Sequence, residues 1–518
     1  MSALHSLRAA SARRAAPAGG RAESPSYRWW ALSTTSLGAL LASLNMSTLV
    51  IALPDLMRSL HIGVLDVTWV LLSYMLAQTA AVLTVGRLGD MWGRKRLYVT
   101  GFAVFTVMAL LSGFAGSAWE LIILRSLAGI GGALMVAQSG AIVTDAFPKH
   151  QLGLALGING MVVAVGSAVG PVLGGWLTSL GWQWVFWFNV PVSVVGSVWA
   201  FAILREPARS GRRQRIDWSG NFVFLLGLSG LLLFLSMGGI EGWTQPFVIG
   251  GAVAFAVCLP AFLWIERRVA EPLLDLSLFR SRIFAIGNLS QVLNSTSRMG
   301  LLFLLVFFFQ GPQQRDPVTA GLLVTPLAAL MFLASPVSGW ISDRVGSRIP
   351  ATVGLATTAV GLAVMGAVIG HDTSYPLLAF GMALVGAGAG IFNSPNASAI
   401  MAAVKPAQRG VASGVRILTA FVGAMFSIAF VLAIVTSSLP TPVMLKIFSG
   451  ATVGLSDAQV DPFISGVRVT LFVLAAISLL SAPLSLLRGE EVPRRAARAA
   501  RRPSGEQIGV EVAEAETV

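Results

Sequence analysis

From residue 31 to residue 487 the chain is a succession of apolar runs, each about 20 residues long, separated by short polar breaks. A helix of that length matches the hydrocarbon thickness of a bilayer. In that solvent every backbone N–H and C=O must find its partner within the protein, which leaves helices as the form a run of this kind can take. The runs fall near 31–53, 67–85, 98–117, 120–145, 153–180, 184–203, 218–238, 247–265, 284–310, 318–338, 350–370, 376–402, 410–436 and 469–487. That predicts an all-α polytopic membrane protein with 14 transmembrane helices. Only 11% of the residues are charged, against roughly 25% in soluble domains, so the shortage belongs to the whole chain and not to one anchor.

Orientation follows from Lys and Arg, which are retained on the cytoplasmic side. With the N-terminus inside, the inside segments hold 29 of the 36 basic residues, and the outside loops hold Arg58, Arg315, Lys446 and Arg468. Both termini are therefore expected in the cytoplasm, with the chain in the plasma (inner) membrane. The net charge of +13 reports this topology and contact with anionic membrane lipids, and not nucleic acid. The basic tail Arg494, Arg495, Arg498, Arg501 and Arg502 has no interleaved aromatics. No cofactor or metal is expected. Cys258 is the only cysteine, and the four histidines lie in loops or tails. An enzyme is disfavoured because no acid, base or metal cluster converges within the runs. An ATP-driven pump is disfavoured because the chain has no Gly-Lys dipeptide for a phosphate-binding loop.

The breaks between runs carry a repeat. Gly86-Arg-Leu-Gly-Asp90-Met-Trp-Gly93-Arg94-Lys-Arg lies between the second and third runs, and Gly339-Trp-Ile-Ser-Asp343-Arg-Val-Gly346-Ser-Arg348 lies 253 residues later. Gln151-Leu-Gly153-Leu-Ala155-Leu-Gly157 matches Gln408-Arg-Gly410-Val-Ala412-Ser-Gly414, and Gly129 and Gly131 match Gly386 and Gly388, at an offset of 257. Two six-helix halves are thus expected, 31–203 and 284–487. A helix pair with basic flanks is inserted at 204–283, and cytoplasmic tails lie at 1–30 and 488–518. In the fifth run, Gly166-Ser-Ala-Val-Gly170-Pro171-Val-Leu-Gly174-Gly175 sets glycines four apart on one helix face, a seam for close helix contact. Pro171 within it bends the helix.

These motifs resemble the major facilitator superfamily. The hairpins are similar to its cytoplasmic loop signature, and Gly166–Gly175 to the antiporter motif of its drug exporters. Leu121 to Ala133, centred on Arg125, resembles a further motif, with Ala128 where the family has glutamine. Leu44-Asn45-Met-Ser-Thr-Leu-Val-Ile-Ala52-Leu53-Pro54 resembles a motif of the 14-span drug:proton antiporters, with Asn45 at the family's aspartate. The resemblance implies the major facilitator fold and transport of a small molecule by alternating access, driven by protons, by a monomer. It implies that Gly86, Asp90, Gly93, Arg94, Gly339, Asp343 and Gly346 latch the halves in one state, with Asp90 capping a helix or pairing with Arg94. It also places Arg125 in proton coupling.

Asn45 cannot titrate, and none of the 23 acidic residues falls in the central part of a run. Asp55, Asp66 and Asp145 at run ends, or the substrate's own ionisation, are the remaining sources of proton coupling. Arg298 lies deep in its run, and Gln291 and Asn294 precede it at spacings of seven and four, on one helix face. Substrate and coupling candidates are therefore Asn45, Arg125, Gln291, Asn294 and Arg298. Arg416 is a weaker one, close enough to the run's end to snorkel. Trp69, Tyr74, Gln78, Gln138, Asn159, Asn393 and Asn396 are further lining candidates, each equally a packing residue. Buried arginines without midplane carboxylates favour an anionic or neutral amphipathic substrate, drug- or antibiotic-like. An uncoupled or uptake facilitator of the same fold is the alternative, and a non-transporting membrane sensor is a third reading.

Overall fold

The computed structural model describes residues 25–147, 152–206, 217–269, 272, 274–404, 408–437, 439–451 and 456–489. The basic stretch 207–216, most of both tails, and the side chains of Asp90 and Asp343 lie outside the described residues. Fourteen helices among those residues are long and apolar enough to cross a membrane.

The first six spans are α1 (Pro25–Leu60), α2 (Val64–Trp92), α3 (Arg94–Ser112), α4 (Ala118–Ala146), α5 (Leu152–Ser179) and the pair α6 (Gln183–Trp187) and α7 (Asn189–Ile203). Two more follow, α8 (Trp218–Glu241) and α9 (Pro246–Arg268). The last six are α10 (Arg282–Gln310), α11 (Pro317–Leu323) continued by α12 (Thr325–Val345), α13 (Arg348–Val368), α14 (Tyr375–Ala402), α15 (Arg409–Thr436) and, after the short α16 (Thr441–Phe448), α17 (Asp457–Leu486). Two spans are interrupted, at Phe188 and at Val324. Pro191 and Pro326 follow these breaks and lack the N–H that would continue each ladder.

The final helix begins at Asp457, twelve residues before the apolar run does. Asp457, Asp461 and Arg468 hid its first three turns from a hydropathy reading. Their charges are met where they stand. Asp461 lies 2.7 Å from His371 Nε2, and Arg468 donates to the Ile369 carbonyl at 2.9 Å.

The turns between α2 and α3 and between α12 and α13 share one backbone solution. Gly93 (φ 104°) and Gly346 (φ 84°) take the left-handed conformation that glycine adopts without a Cβ clash. Each N–H bonds back to the fourth residue before it, Gly89 and Ser342, at 3.0 and 2.9 Å. The glycine contacts inside the bundle repeat as well. A Cβ on Gly129 would run into the Tyr74 carbonyl, and one on Gly386 into that of Leu327. One on Gly131 would lie 3.0 Å from the Gly101 carbonyl, and one on Gly388 2.6 Å from that of Gly354. Tyr74, Gly101, Gly93 and their counterparts are all 253 residues apart. Small residues let these helices approach backbone to backbone, where dispersion and not a solvent effect holds them.

Alternating helix direction puts the Gly93 and Gly346 turns at one end of the bundle, the hairpin end. At the opposite, far end, α5 lies against α11. A Cβ on Gly175 would be 2.8 Å from Val318 Cα, and one on Gly321 2.8 Å from the Pro171 carbonyl carbon. Gln310 on α10 donates to the Ile51 carbonyl on α1 at 2.9 Å. Towards the hairpin end, Ile417 of α15 packs on a cluster of Val82, Val85, Leu97, Ala133 and Leu134.

The helices α8 and α9 pack on each other, and α8 lies against both α2 and α15. A Cβ on its Gly239 would stand 2.6 Å from Ala433 Cα. Beyond α9, the Pro272 carbonyl accepts from Arg87 in the first hairpin. The pair thus touches helices from both ends of the chain.

Candidate functional site

Polar side chains gather around Arg125 and along one face of α10, and a glycine sets the first of these places. On α4, Gly129 lies one turn beyond Arg125 and lets α4 settle on the Tyr74 carbonyl of α2. Arg125 is thereby pressed against the Tyr74 ring, its guanidinium carbon 4.4 Å from the ring centroid and 6.0 Å from that of Phe186. Its Nη1 donates to Asn45 Oδ1 on α1 at 3.0 Å, and its Nε to the Val70 carbonyl at 3.4 Å.

Arg125 is 1% exposed and Asn45 3%. Although Arg125 follows soon after Glu120 at the start of α4, it does not reach the surface: Tyr74 and Phe186 cover it. Glu120 instead accepts from the Gly116 N–H at 2.7 Å. The guanidinium only donates, so it fixes Asn45 with its oxygen inward. Asn45 Nδ2 and Arg125 Nη2 have no protein partner. The cation is held by a neutral amide and two aromatic faces, an arrangement that stabilises positive charge without a group able to accept a proton.

The second place is on α10. Gln291, Asn294 and Arg298 do share a face. Gln291 is occupied: its Oε1 accepts from Asn396 Nδ2 on α14, and its Nε2 donates to Ser295, both at 3.2 Å. Asn396 Nδ2 also reaches the Gly287 carbonyl at 3.2 Å. Asn294 is 0% exposed, and neither its Oδ1 nor its Nδ2 has a partner; Arg298 Nε has none either. Arg298 Nη1 lies 3.9 Å from Met331 Sδ on α12. No carboxylate partners Arg125 or Arg298 among the described residues.

Of the other lining candidates, Gln138 is a packing residue, donating to the Val85 carbonyl at 2.8 Å. Arg416, Trp69, Asn159 and Asn393 are half-buried. The three end-of-run aspartates are engaged locally. Asp55 pairs with Arg58 at 3.3 Å. Asp66 caps its own helix by accepting from the Gly63 N–H at 3.0 Å. Asp145 pairs with Arg94 at 2.5 Å, and Arg94 also donates to the Ala141 carbonyl at 3.2 Å.

This ion pair joins α3 to α4 beside the first hairpin. It is a partner for Arg94 that sequence proximity, which pointed to Asp90, did not suggest. Gly86 has open space at its Cβ position, whereas one on Gly93 would strike the Glu206 carboxylate. In α5, Cβ atoms on Gly166 and Gly174 would stand 2.9 Å from Ser43 Cβ and 2.7 Å from the Thr48 carbonyl. Those two face α1, and Gly175 faces α11. Sequence reasoning missed Phe186 and Met331, since an apolar residue in an apolar run gives no signal.

Comparison with known proteins agrees with this architecture. The family model described as Major Facilitator Superfamily matches residues 35–219 and 287–514, leaving between them the segment that holds most of α8 and α9. The multidrug resistance protein Stp of Mycobacterium tuberculosis (strain CDC 1551 / Oshkosh) is 30% identical over 386 residues, covering 74% of this chain and 71% of that one. A tetracenomycin C resistance and export protein of Streptomyces glaucescens is 32% identical over 339 residues, covering 64% and 62%. Among solved structures, a bacterial homologue of the human lysosomal transporter Spinster superposes with a TM-score of 0.64 at 16% identity. It covers 93% of this chain and all of its own, a likeness of fold.

Proposed function

This chain belongs to the major facilitator superfamily, and we propose that it works as a monomeric secondary exporter of small amphipathic, drug-like compounds, exchanging them for protons by alternating access. In this reading residues 31–203 and 284–487 are the two bodies that rock about a midplane cavity. The inserted pair at 204–283 fills the groove between them. The tails and the Gly93 and Gly346 hairpins face the cytoplasm across the inner membrane, as the distribution of Lys and Arg requires.

The observation that carries the proposal is the reciprocal glycine seam between α5 and α11, Gly175 against Pro317–Val318 and Gly321 against Pro171. Side-chain-free backbones in contact across the two bodies make a joint that can separate and re-form without rearranging a side chain. The names of the relatives, multidrug resistance and tetracenomycin C resistance and export, support export of amphiphiles.

The buried Arg125 and the half-buried Arg298, neither with a carboxylate partner among the described residues, favour an anionic or neutral substrate. For proton coupling the end-of-run carboxylates Asp55, Asp66 and Asp145 are the candidates, and Asp145 is the one of them whose ion pair, with Arg94 at the hairpin end, joins two helices. Gly86, Asp90, Gly93, Arg94, Gly339, Asp343 and Gly346 form the surrounding latch. Away from that end, Arg125 bonded to Asn45 is a fixed structural cation and does not relay a proton.

The same pair favours a second reading, an uncoupled facilitator on this scaffold, because a neutral amide stands where the antiporter-like motif has its acid. Transport by purified protein in liposomes tests the reading. Anionic, neutral and cationic derivatives of one aromatic skeleton would be offered in turn. Movement of the first two but not the third supports it, and no movement of any refutes it.

A further inference from the structure

Resting on the transport reading above, we propose that Asn294 and Arg298 form the substrate's docking edge, and that the edge selects ligands pairing a hydrogen-bond donor with a carbonyl, as imides, carboxamides and hydroxy-carbonyls do. The argument is a donor and acceptor count. Asn294 is fully buried, yet its Oδ1 and Nδ2 both lack a partner, as does Arg298 Nε one turn further along the same face. Buried polar groups are nearly always satisfied, so three open groups on adjacent turns of one helix face mark a place that something else completes.

Exchanging the amide's O and N does not remove the requirement, because either way one atom donates and the other accepts. Met331 Sδ, at 3.9 Å from Arg298 Nη1, is a weak acceptor and leaves Nε open. A simple carboxylate would satisfy Arg298 and Asn294 Nδ2 but leave Asn294 Oδ1 facing a negative oxygen. A ligand presenting acceptor, donor, acceptor in a row meets all three: its N–H or O–H to Asn294 Oδ1, one carbonyl to Asn294 Nδ2, the other to Arg298 Nε.

Gln291 acts as a positioning residue. It ties Asn396 of α14 to α10 on the turn before Asn294.

The test is binding by the purified full-length protein in nanodiscs, read by fluorescence of two probes that differ by one hydrogen-bond donor. 1,8-Naphthalimide carries the acceptor–donor–acceptor edge; N-methyl-1,8-naphthalimide keeps both carbonyls and loses the donor. The imide should bind roughly five- to 150-fold tighter, the cost of leaving one buried acceptor unpaired. Asn294→Leu should bring the two probes to equal affinity. Gln291→Leu should weaken the preference without abolishing it.

Equal binding of both probes by the unaltered protein, no binding of the imide, or a preference that survives Asn294→Leu overturns the proposal. The first comparison needs no variant, so a misfolded substitution cannot obscure it. Transport of other compounds with equal probe binding would sink this inference alone. A clear imide preference in a protein that moves nothing would sink the transport reading alone.

Discussion

Replacing Gly175 by alanine should open the far end of the bundle. A methyl there would sit 2.8 Å from both the Pro317 carbonyl carbon and Val318 Cα, well inside the distance at which carbon atoms attract, roughly 3.5–4.0 Å. Neither neighbour is a side chain that can turn away, so α5 and α11 must move apart by about 1 Å. Overpacking of this kind costs about 1–3 kcal/mol. The cost falls only on the conformation in which the seam is closed, so it shifts the conformational equilibrium by roughly 5–150-fold.

Gly321→Ala meets Pro171 in the same way and should act alike. Gly250→Ala, with nothing within 4 Å of its Cβ position, is the control. The assay is alkylation by a membrane-impermeant maleimide of a cysteine placed at Ile51, which is fully buried beside the Gln310 contact, in a Cys258→Ser background. The labelling rate follows the population open at the far end. It should rise by the stated factor for Gly175→Ala and Gly321→Ala and stay level for Gly250→Ala. Unchanged rates in folded seam variants would refute the claim that this seam distinguishes the two states.

Three further outcomes are expected. Asp145→Asn should leave thermal stability within about 1 kcal/mol, because its partly exposed pair with Arg94 is worth little to folding. It should also flatten the pH dependence of transport, while Asp55→Asn and Asp66→Asn keep it, and transport rates across a pH series check this. Gly86→Ala should be neutral or gain up to about 1 kcal/mol of helix propensity. Gly93→Ala, with its positive φ and the Glu206 contact, should lose about 1–3 kcal/mol, as thermal unfolding will show.

The third concerns Asp316. Its side-chain hydrogen bond with Thr319, followed by backbone bonds, holds its pKa below the usual carboxylate range, so its capping contribution is complete at neutral pH. That contribution fades as pH falls through the depressed folded value. Asp316→Ala should therefore cost about 0.5–1 kcal/mol at pH 7, and less in acid, by thermal unfolding at both pH values.

The number of spans was legible because the bilayer imposes one length on every helix, and the apolar runs carry that length openly. Helix ends were less legible where charge is locally satisfied. Asp461 and Arg468 look like loop residues until His371 and the Ile369 carbonyl are seen beside them. Within the site, spacing alone aligned Gln291, Asn294 and Arg298, since periodicity is a local property.

Which of the three is open to a ligand depends on Asn396, more than a hundred residues away. The same holds for Arg125. Its place in the run was readable, but its burial under Tyr74 and Phe186 and its bond to Asn45 arise from α1, α2 and α6 meeting around it. Asp145 was a candidate by position, and only the packing of α3 on α4 revealed Arg94 as its partner.

The central claim is proton-linked export with the coupling group away from position 45. The most direct measurement is proton flux in proteoliposomes under an imposed pH gradient, on addition of a neutral or anionic amphiphile, for the unaltered protein and for Asn45→Asp. The account predicts that the amphiphile dissipates the gradient through the unaltered protein, beyond protein-free liposomes. Compound movement without proton flux, with flux appearing only in Asn45→Asp, would contradict it and make this a facilitator whose lost coupling site is position 45.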